Sequence, residues 1–497
     1  MPLRPKGQEH RSSISRSVSV YGRPYYAQNK NIPISGAKRH GINKGNNMST
    51  SMGFNRRSFL QSAGLTALAG ASGGVALTGS ASAKAAGGTH IPMKGGRYDF
   101  DTVYDRRNTN TARWDGPSRD FPEGVFRYGM GVATMDFECA PCITEALTAR
   151  VQHHTWGYMA STEGLRDGII KWNGERHGLD LDPRELVISD GVYPGMIAAL
   201  RTLVPRNNKA IIMSPAYSGF YSMVKAARID SVDSPMTLKN GRFEIDWADL
   251  ERKMRADVRV LILCNPQNPT GNVWREEELL RLGRLALEHK IVVLSDEIHG
   301  DFVRKGHRYV PFATLKDRAV VENSITCNAI SKTFNLAGMK NAYFYSKSPV
   351  LLERVKQYHR AELSTLGVVA NEAAYAGGQD WFDQARDYID GAHDLVEQIV
   401  KAKMPEVGYV RNEGTFMTFL NFGKVIKAID PSELAQYRGK TPEENFQDWL
   451  TYKAGVYLNA GSVYGEGSDG YMRMNVASAR SVVSGALDAI AEAIKGL

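Results

Sequence analysis

The chain has 497 residues, more than a single hydrophobic core usually serves, so a catalytic unit of two subdomains with appendages is expected. Hydrophobic residues at 42% and charged residues at 23% match soluble globular proteins and argue against wholesale disorder or a polytopic membrane protein. The formal net charge of +9 is concentrated at one end: residues 1–84 hold 12 of the 62 Lys and Arg and one of the 53 Asp and Glu, leaving 50 bases against 52 acids elsewhere, so no nucleic-acid partner is expected.

Residues 1–47 read as a disordered extension, with Met48 or Met52 as alternative starts. In residues 48–84, Arg56-Arg57 precede Phe59-Leu60, a run rich in Gly and Ala, and the small residues Ala81-Ser82-Ala83. This pattern resembles a twin-arginine export signal, with cleavage after Ala83, a periplasmic location and no membrane span in the mature form. The competing reading is an uncleaved anchor, because Phe59 to Leu77 approaches the roughly 20 residues that cross a bilayer, although Gly and Ser dilute it. The twin-arginine route carries folded proteins, which fits a cofactor loaded before export.

From about Tyr98, apolar runs of strand length alternate with helical patterns, so a mainly parallel α/β sheet is expected. The predicted strands are ELVISD (185–190), KAIIMSP (209–215), VRVLILCN (258–265), KIVVLSDE (290–297) and SITCNAIS (324–331), with a helix over 276–290. An N-terminal arm (98–140), a large domain (141–370) and a smaller C-terminal α/β domain (371–497) follow, the last with short strands in GTFMTFLNF and GYMRMNV.

Polar residues gather where these strands end, the edge at which open α/β sheets bind ligands. Asp296 and Glu297 emerge from one strand, where a helix cap or surface acid is the bland alternative. The doubled Asn-Pro of CNPQNPTG fixes a turn that can aim the Asn268 amide into the cleft. Gly191 and Val192 open a helix whose free N–H groups can hold a phosphate. Lys332, in NAISKTFNLAG, ends a strand at the same edge. An amine, an acid, an amide and a phosphate nest together suggest a phosphate-bearing aldehyde cofactor held as a Schiff base.

The order and spacing of NPQNPTG, SDEIH and SKTFNLAG resemble pyridoxal 5'-phosphate enzymes of the class I/II aminotransferase superfamily, fold type I, from about Tyr98 to the end of the chain. MDFECAPCI, TWGY, SPAYSGFY, SDEIHGDFV and YGEGSDGYMRMN are similar to its cystathionine β-lyase-like C–S lyase branch. The resemblance implies that Lys332 carries the cofactor and acts as the Cα base, while Asp296 keeps the ring nitrogen protonated. It implies that Asn268 bonds the phenolate oxygen and Tyr217 stacks on the ring. Gly191, Val192 and Ser331 would hold the phosphate, Tyr158 would reach it across a homodimer interface, and Arg473 would clamp the carboxylate of a small amino-acid substrate.

Two positions depart from the family. Lys340 stands where an arginine commonly grips the phosphate, and Ala329 where a serine is common. Cys139 and Cys142 form a C-x-x-C that a disulfide or a redox motif could use, Cys264 and Cys327 read as core, and no metal site is expected. His299 and the pair His153-His154 read as satisfied packing or surface positions. Three functions stay open: a C–S β-lyase, an aminotransferase built from the same residues, and a binding protein that retains the fold without catalysis. The lyase is preferred.

Overall fold

The computed structural model describes residues 93–94, 96–437 and 439–497, all within one compact unit. The readings of residues 1–47 as an extension and of 48–84 as an export signal lie outside the described residues. Among the described residues no helix is long and apolar enough to cross a membrane.

Seven strands form the main sheet. Across it they run Leu186–Ser189, Ala342–Tyr345, Ser324–Asn328, Val292–Asp296, Val258–Cys264, Lys209–Ser214 and Asp230–Pro235. Only Ala342–Tyr345 lies antiparallel to its neighbours. Side chains alternate across a strand, so Val260 and Ile262 enter one apolar layer while Leu261 and Leu263 enter the other. Helices Val192–Leu203 and Ser218–Ala227 cover the first layer, and helix Glu276–Glu288 covers the second. That double cover is why these strands are nearly continuous in apolar residues.

All five predicted strands are present, four within two residues of their expected ends; the fifth stops at Asn328, three residues before its expected end, so Lys332 lies on the turn beyond it. Two strands of this sheet went unpredicted. Asp230–Pro235 is a polar edge strand without the apolar run that marked the others, and Ala342–Tyr345 is a short, fully buried aromatic run.

A second sheet, antiparallel, orders Gly408–Tyr409, Met417–Asn421, Tyr471–Asn475 and Asn459–Ala460. Helices Gln379–Lys403, Pro442–Ala454 and Arg480–Ile494 share one core with it. Phe100, Met130, Met135 and Phe137 of the N-terminal arm enter the same core, and Tyr128–Gly129 pairs with Val456–Tyr457. Ile330, Phe334 and Leu336, which flank Lys332, belong to it as well. Helix Thr365–Gly377 runs unbroken across the boundary expected at residue 370.

Candidate active site

Strand register brings the segments of Asp296, Asn268 and Lys332 to one edge. Asp296 is aligned with Cys264 on one side and Cys327 on the other, so the segments carrying Asn268 and Lys332 leave the sheet from the same row. Cys264 and Cys327 themselves are buried core residues.

The Asn268 turn is stapled from every side. Gly271 N–H donates to Gln267 O (2.9 Å), Gln267 Nε2 to Pro215 O (2.7 Å), and Trp274 Nε1 to Cys264 O (2.8 Å). Gly271 is required there: its φ is +78°, and a Cβ would fall 2.2 Å from Asn412 Nδ2. Asn268 Oδ1 accepts from Arg473 Nη1 at 3.0 Å, so the donor that this amide can offer a ligand is Nδ2.

Arg473 comes from the other sheet, on Tyr471–Asn475, and is buried. Its Nη2 donates to Gly131 O (2.8 Å), its guanidinium carbon lies 5.2 Å from the Tyr464 ring centre, and Nε has no partner. A buried guanidinium with an unspent N–H suits a carboxylate arriving from solvent. Asn475, two residues on and facing the same side, donates through Nδ2 to Val132 O and Thr134 O, each at 2.7 Å.

Lys332 Nζ donates to Ala133 O at 2.7 Å. Burial, reinforced by the positive charge of Arg473, lowers its pKa to about 8 even though Asp296 pulls the other way. Asp296 is pushed up to about 7, chiefly by burial, against the Ile298 N–H at 3.2 Å and the Lys332 charge. Amine and carboxylate therefore both titrate near neutrality, the range useful for proton transfer.

Gly191 caps helix Val192–Leu203, and the first N–H groups of that helix have no partner within it. Tyr217 caps helix Ser218–Ala227 with its ring 5.5 Å from Phe220. Ser331 is half-buried beside Lys332. Lys340 is exposed with φ +52°, and Tyr158 is fully exposed.

The sequence reading missed the acceptors. The carbonyls of Gly131 and Ala133 engage Arg473 and Lys332, and backbone atoms leave no residue signature; only Asn475, at period 2 from Arg473, could have pointed to that segment. His299 is buried against Phe416 (5.7 Å), as expected of packing, but its Nδ1 lacks a partner. Burial, then Lys332 and Arg473, hold its pKa well below the usual histidine value. Cys139 and Cys142 are free thiols, Cys139 Sγ lying 3.3 Å from Thr144 Oγ1. His153 Nδ1 meets Thr155 Oγ1 at 2.7 Å.

These residues fit pyridoxal phosphate. A desolvated carboxylate with one backbone donor suits a ring nitrogen that must stay protonated, an amine of lowered pKa suits an aldehyde, and a helix start without a side-chain cap suits a phosphate.

The aminotransferase class I and II family matches residues 128–490. The chain is 33% identical over 404 residues to cystathionine beta-lyase PatB of Bacillus subtilis, covering 80% of this chain and 100% of that one. Among solved structures, the PLP-bound C-S lyase from Staphylococcus hominis is 28% identical with a TM-score of 0.73, covering 80% of this chain and 98% of that one. A PLP-bound putative aminotransferase from Clostridium difficile 630 is 31% identical with a TM-score of 0.74, covering 80% and 100%. The chain belongs to the class I and II aminotransferase family of pyridoxal-phosphate enzymes, fold type I, in its C–S lyase branch.

Proposed function

We propose that the enzyme cleaves the Cβ–S bond of cystathionine or a cysteine S-conjugate, with one water consumed, releasing a thiol, pyruvate and ammonia. The chemistry rests on the meeting of Lys332, on the turn after one strand, with Asp296 and Arg473 from two others, Lys332 and Asp296 both titrating near neutrality, and the choice of C–S cleavage is supported by the similarity to cystathionine beta-lyase PatB of Bacillus subtilis. Bound pyridoxal phosphate supplies an electron sink for the carbanion formed at Cα. Arg473 binds the substrate carboxylate and thereby aims the Cα–H at Lys332. The Lys332 amine takes that proton, and Asp296 supplies the negative charge that favours a protonated ring nitrogen. The electron pair left at Cα then expels the thiolate from Cβ.

The test supplies L-cystathionine to the purified holoenzyme without any keto acid and assays pyruvate and thiol. Both are expected, with Lys332→Ala slower by on the order of 10³-fold or more. Amino transfer on adding a keto acid, with no pyruvate, would move the reading to an aminotransferase.

We also propose that the protein acts in the periplasm as a homodimer, with the exposed Tyr158 completing the partner's phosphate site. Cell fractionation and sedimentation check both, and a cytoplasmic pool or a monomeric active species would refute them.

A further inference from the structure

Lys332 sits on a turn whose next three residues are each anchored to a different part of the protein. Thr333 Oγ1 donates to Asp301 Oδ2 at 2.6 Å. Phe334 stacks on Trp381 with ring centres 5.9 Å apart. The Asn335 amide grips both Met135 N and Met135 O, each at 2.9 Å.

Of the three anchors, the Asp301 carboxylate is itself a junction. Its Oδ1 takes His177 Nε2 at 2.8 Å, and Trp172 Nε1 lies 3.1 Å from Oδ1 and 3.2 Å from Oδ2. Trp172 and His177 belong to helix Glu163–His177, while Thr333 belongs to the Lys332 turn. One carboxylate therefore bolts the turn carrying the reacting amine to a helix on the flank of the sheet.

The sequence places Asp301 five residues after Asp296, and the intervening chain is itself immobilised. Glu297 Oε1 accepts from Ser295 Oγ (2.9 Å) and Phe312 N–H (3.0 Å), and Tyr309 OH donates to Glu297 Oε2. Glu297 thus ties the chain between Asp296 and Asp301 to the loop that carries Tyr309 and Phe312. One end sets the charge felt by Lys332, and the other sets where the turn bearing Lys332 lies.

We propose that Asp301 is a positioning residue for the lyase reaction, acting through Thr333 to fix the Lys332 amine against the substrate Cα. A buried ion is a costly way to hold a turn that apolar contacts alone could hold, which favours a directional role. Direction matters at this position because a displacement of about 1 Å at a reacting group can cost about 10²-fold in rate. The inference rests on the reading of Lys332 as the group that takes the Cα proton.

The experiment compares holoenzymes of wild type, Thr333→Val, Thr333→Ser and Asp301→Asn. It measures pyruvate release from L-cystathionine and exchange of the substrate Cα proton with deuterium oxide, per cofactor bound. Thr333→Val keeps the branched shape and removes the hydroxyl. It should lower kcat and the exchange rate by about tenfold to 10²-fold with KM within about twofold. Thr333→Ser should restore both rates to within about threefold of wild type, and Asp301→Asn should lie with Thr333→Val.

A Thr333→Val enzyme with wild-type kcat and exchange per bound cofactor, its defect confined to thermal stability or cofactor loading, overturns the proposal. Should Asp301→Asn fail to fold, the Thr333 pair still decides. Wild type that exchanges the Cα proton without forming pyruvate refutes the lyase reading alone, because the ratio of variant to wild-type exchange is read all the same.

Discussion

The Asp296 and Asp301 regions contain two carboxylates of the same type, five residues apart, in opposite electrostatic states. Both are desolvated, and burial is the largest influence on each. Asp296 has one backbone donor, and its pKa rises to about 7. Asp301 is bonded by His177, Trp172 and Thr333, and its pKa falls below the ordinary carboxylate value in spite of burial. Burial alone does not decide what an acid does; the hydrogen bonds from His177 and Thr333 and the charges of His177 and Arg176 outweigh it at Asp301 and nothing comparable does at Asp296. Around Asp301 the polar atoms are committed to one another, and around Asp296 they are held for a ligand.

The sharpest way to break that comparison is Asp296→Asn. Removing the charge should cost about 10²-fold in kcat, read as pyruvate release per bound cofactor. The cofactor-free protein should respond in the opposite sense. A carboxyl whose folded pKa is raised contributes stability that is fully present below its ordinary 3.8 and is lost as pH rises toward 7. Asp296→Asn should therefore match wild type near pH 3.8 and exceed it above pH 7, by on the order of 4 kcal/mol in urea titrations. Asp301 carries the other sign: its lowered pKa gives stability that is present above the ordinary value and lost only in acid. Equal pH responses in the two asparagine variants would dissolve the contrast.

Arg473→Lys probes the unspent N–H of the substrate side. Lysine keeps the charge but not the fork that reaches Asn268 Oδ1, Gly131 O and an incoming carboxylate together. The expected result is a drop of about tenfold to 10²-fold in kcat/KM, mostly through KM, with cofactor binding unchanged. A drop in kcat alone would place Arg473 among the groups that shape the reacting amine instead.

Much of this was legible from residue order. Lys332, Asp296 and Asn268 could be read because each follows an apolar strand, and parallel strands deliver their ends to one edge. Arg473 was reached only through resemblance, since it comes from the other sheet and no local pattern ties it to that edge. The Asp301 junction was illegible: Thr333, Trp172 and His177 are scattered through the sequence and meet only in the fold. Strand Ala342–Tyr345 was legible in hindsight as a run of β-prone aromatics.

The smallest expected effect concerns the phosphate end. Lys340 holds φ +52° after the short turn Ala337–Met339 and is exposed, so an arginine there changes neither packing nor a buried network. What it adds is a planar pair of N–H donors at the position where the family commonly places one, in exchange for a point charge. Lys340→Arg should tighten pyridoxal-phosphate binding by about tenfold or less, measured by equilibrium dialysis of the cofactor-free protein, with kcat of the loaded enzyme unchanged. A loss of affinity would mean that the lysine already lies where the fork cannot reach, and that the phosphate is held by the start of helix Val192–Leu203 without it.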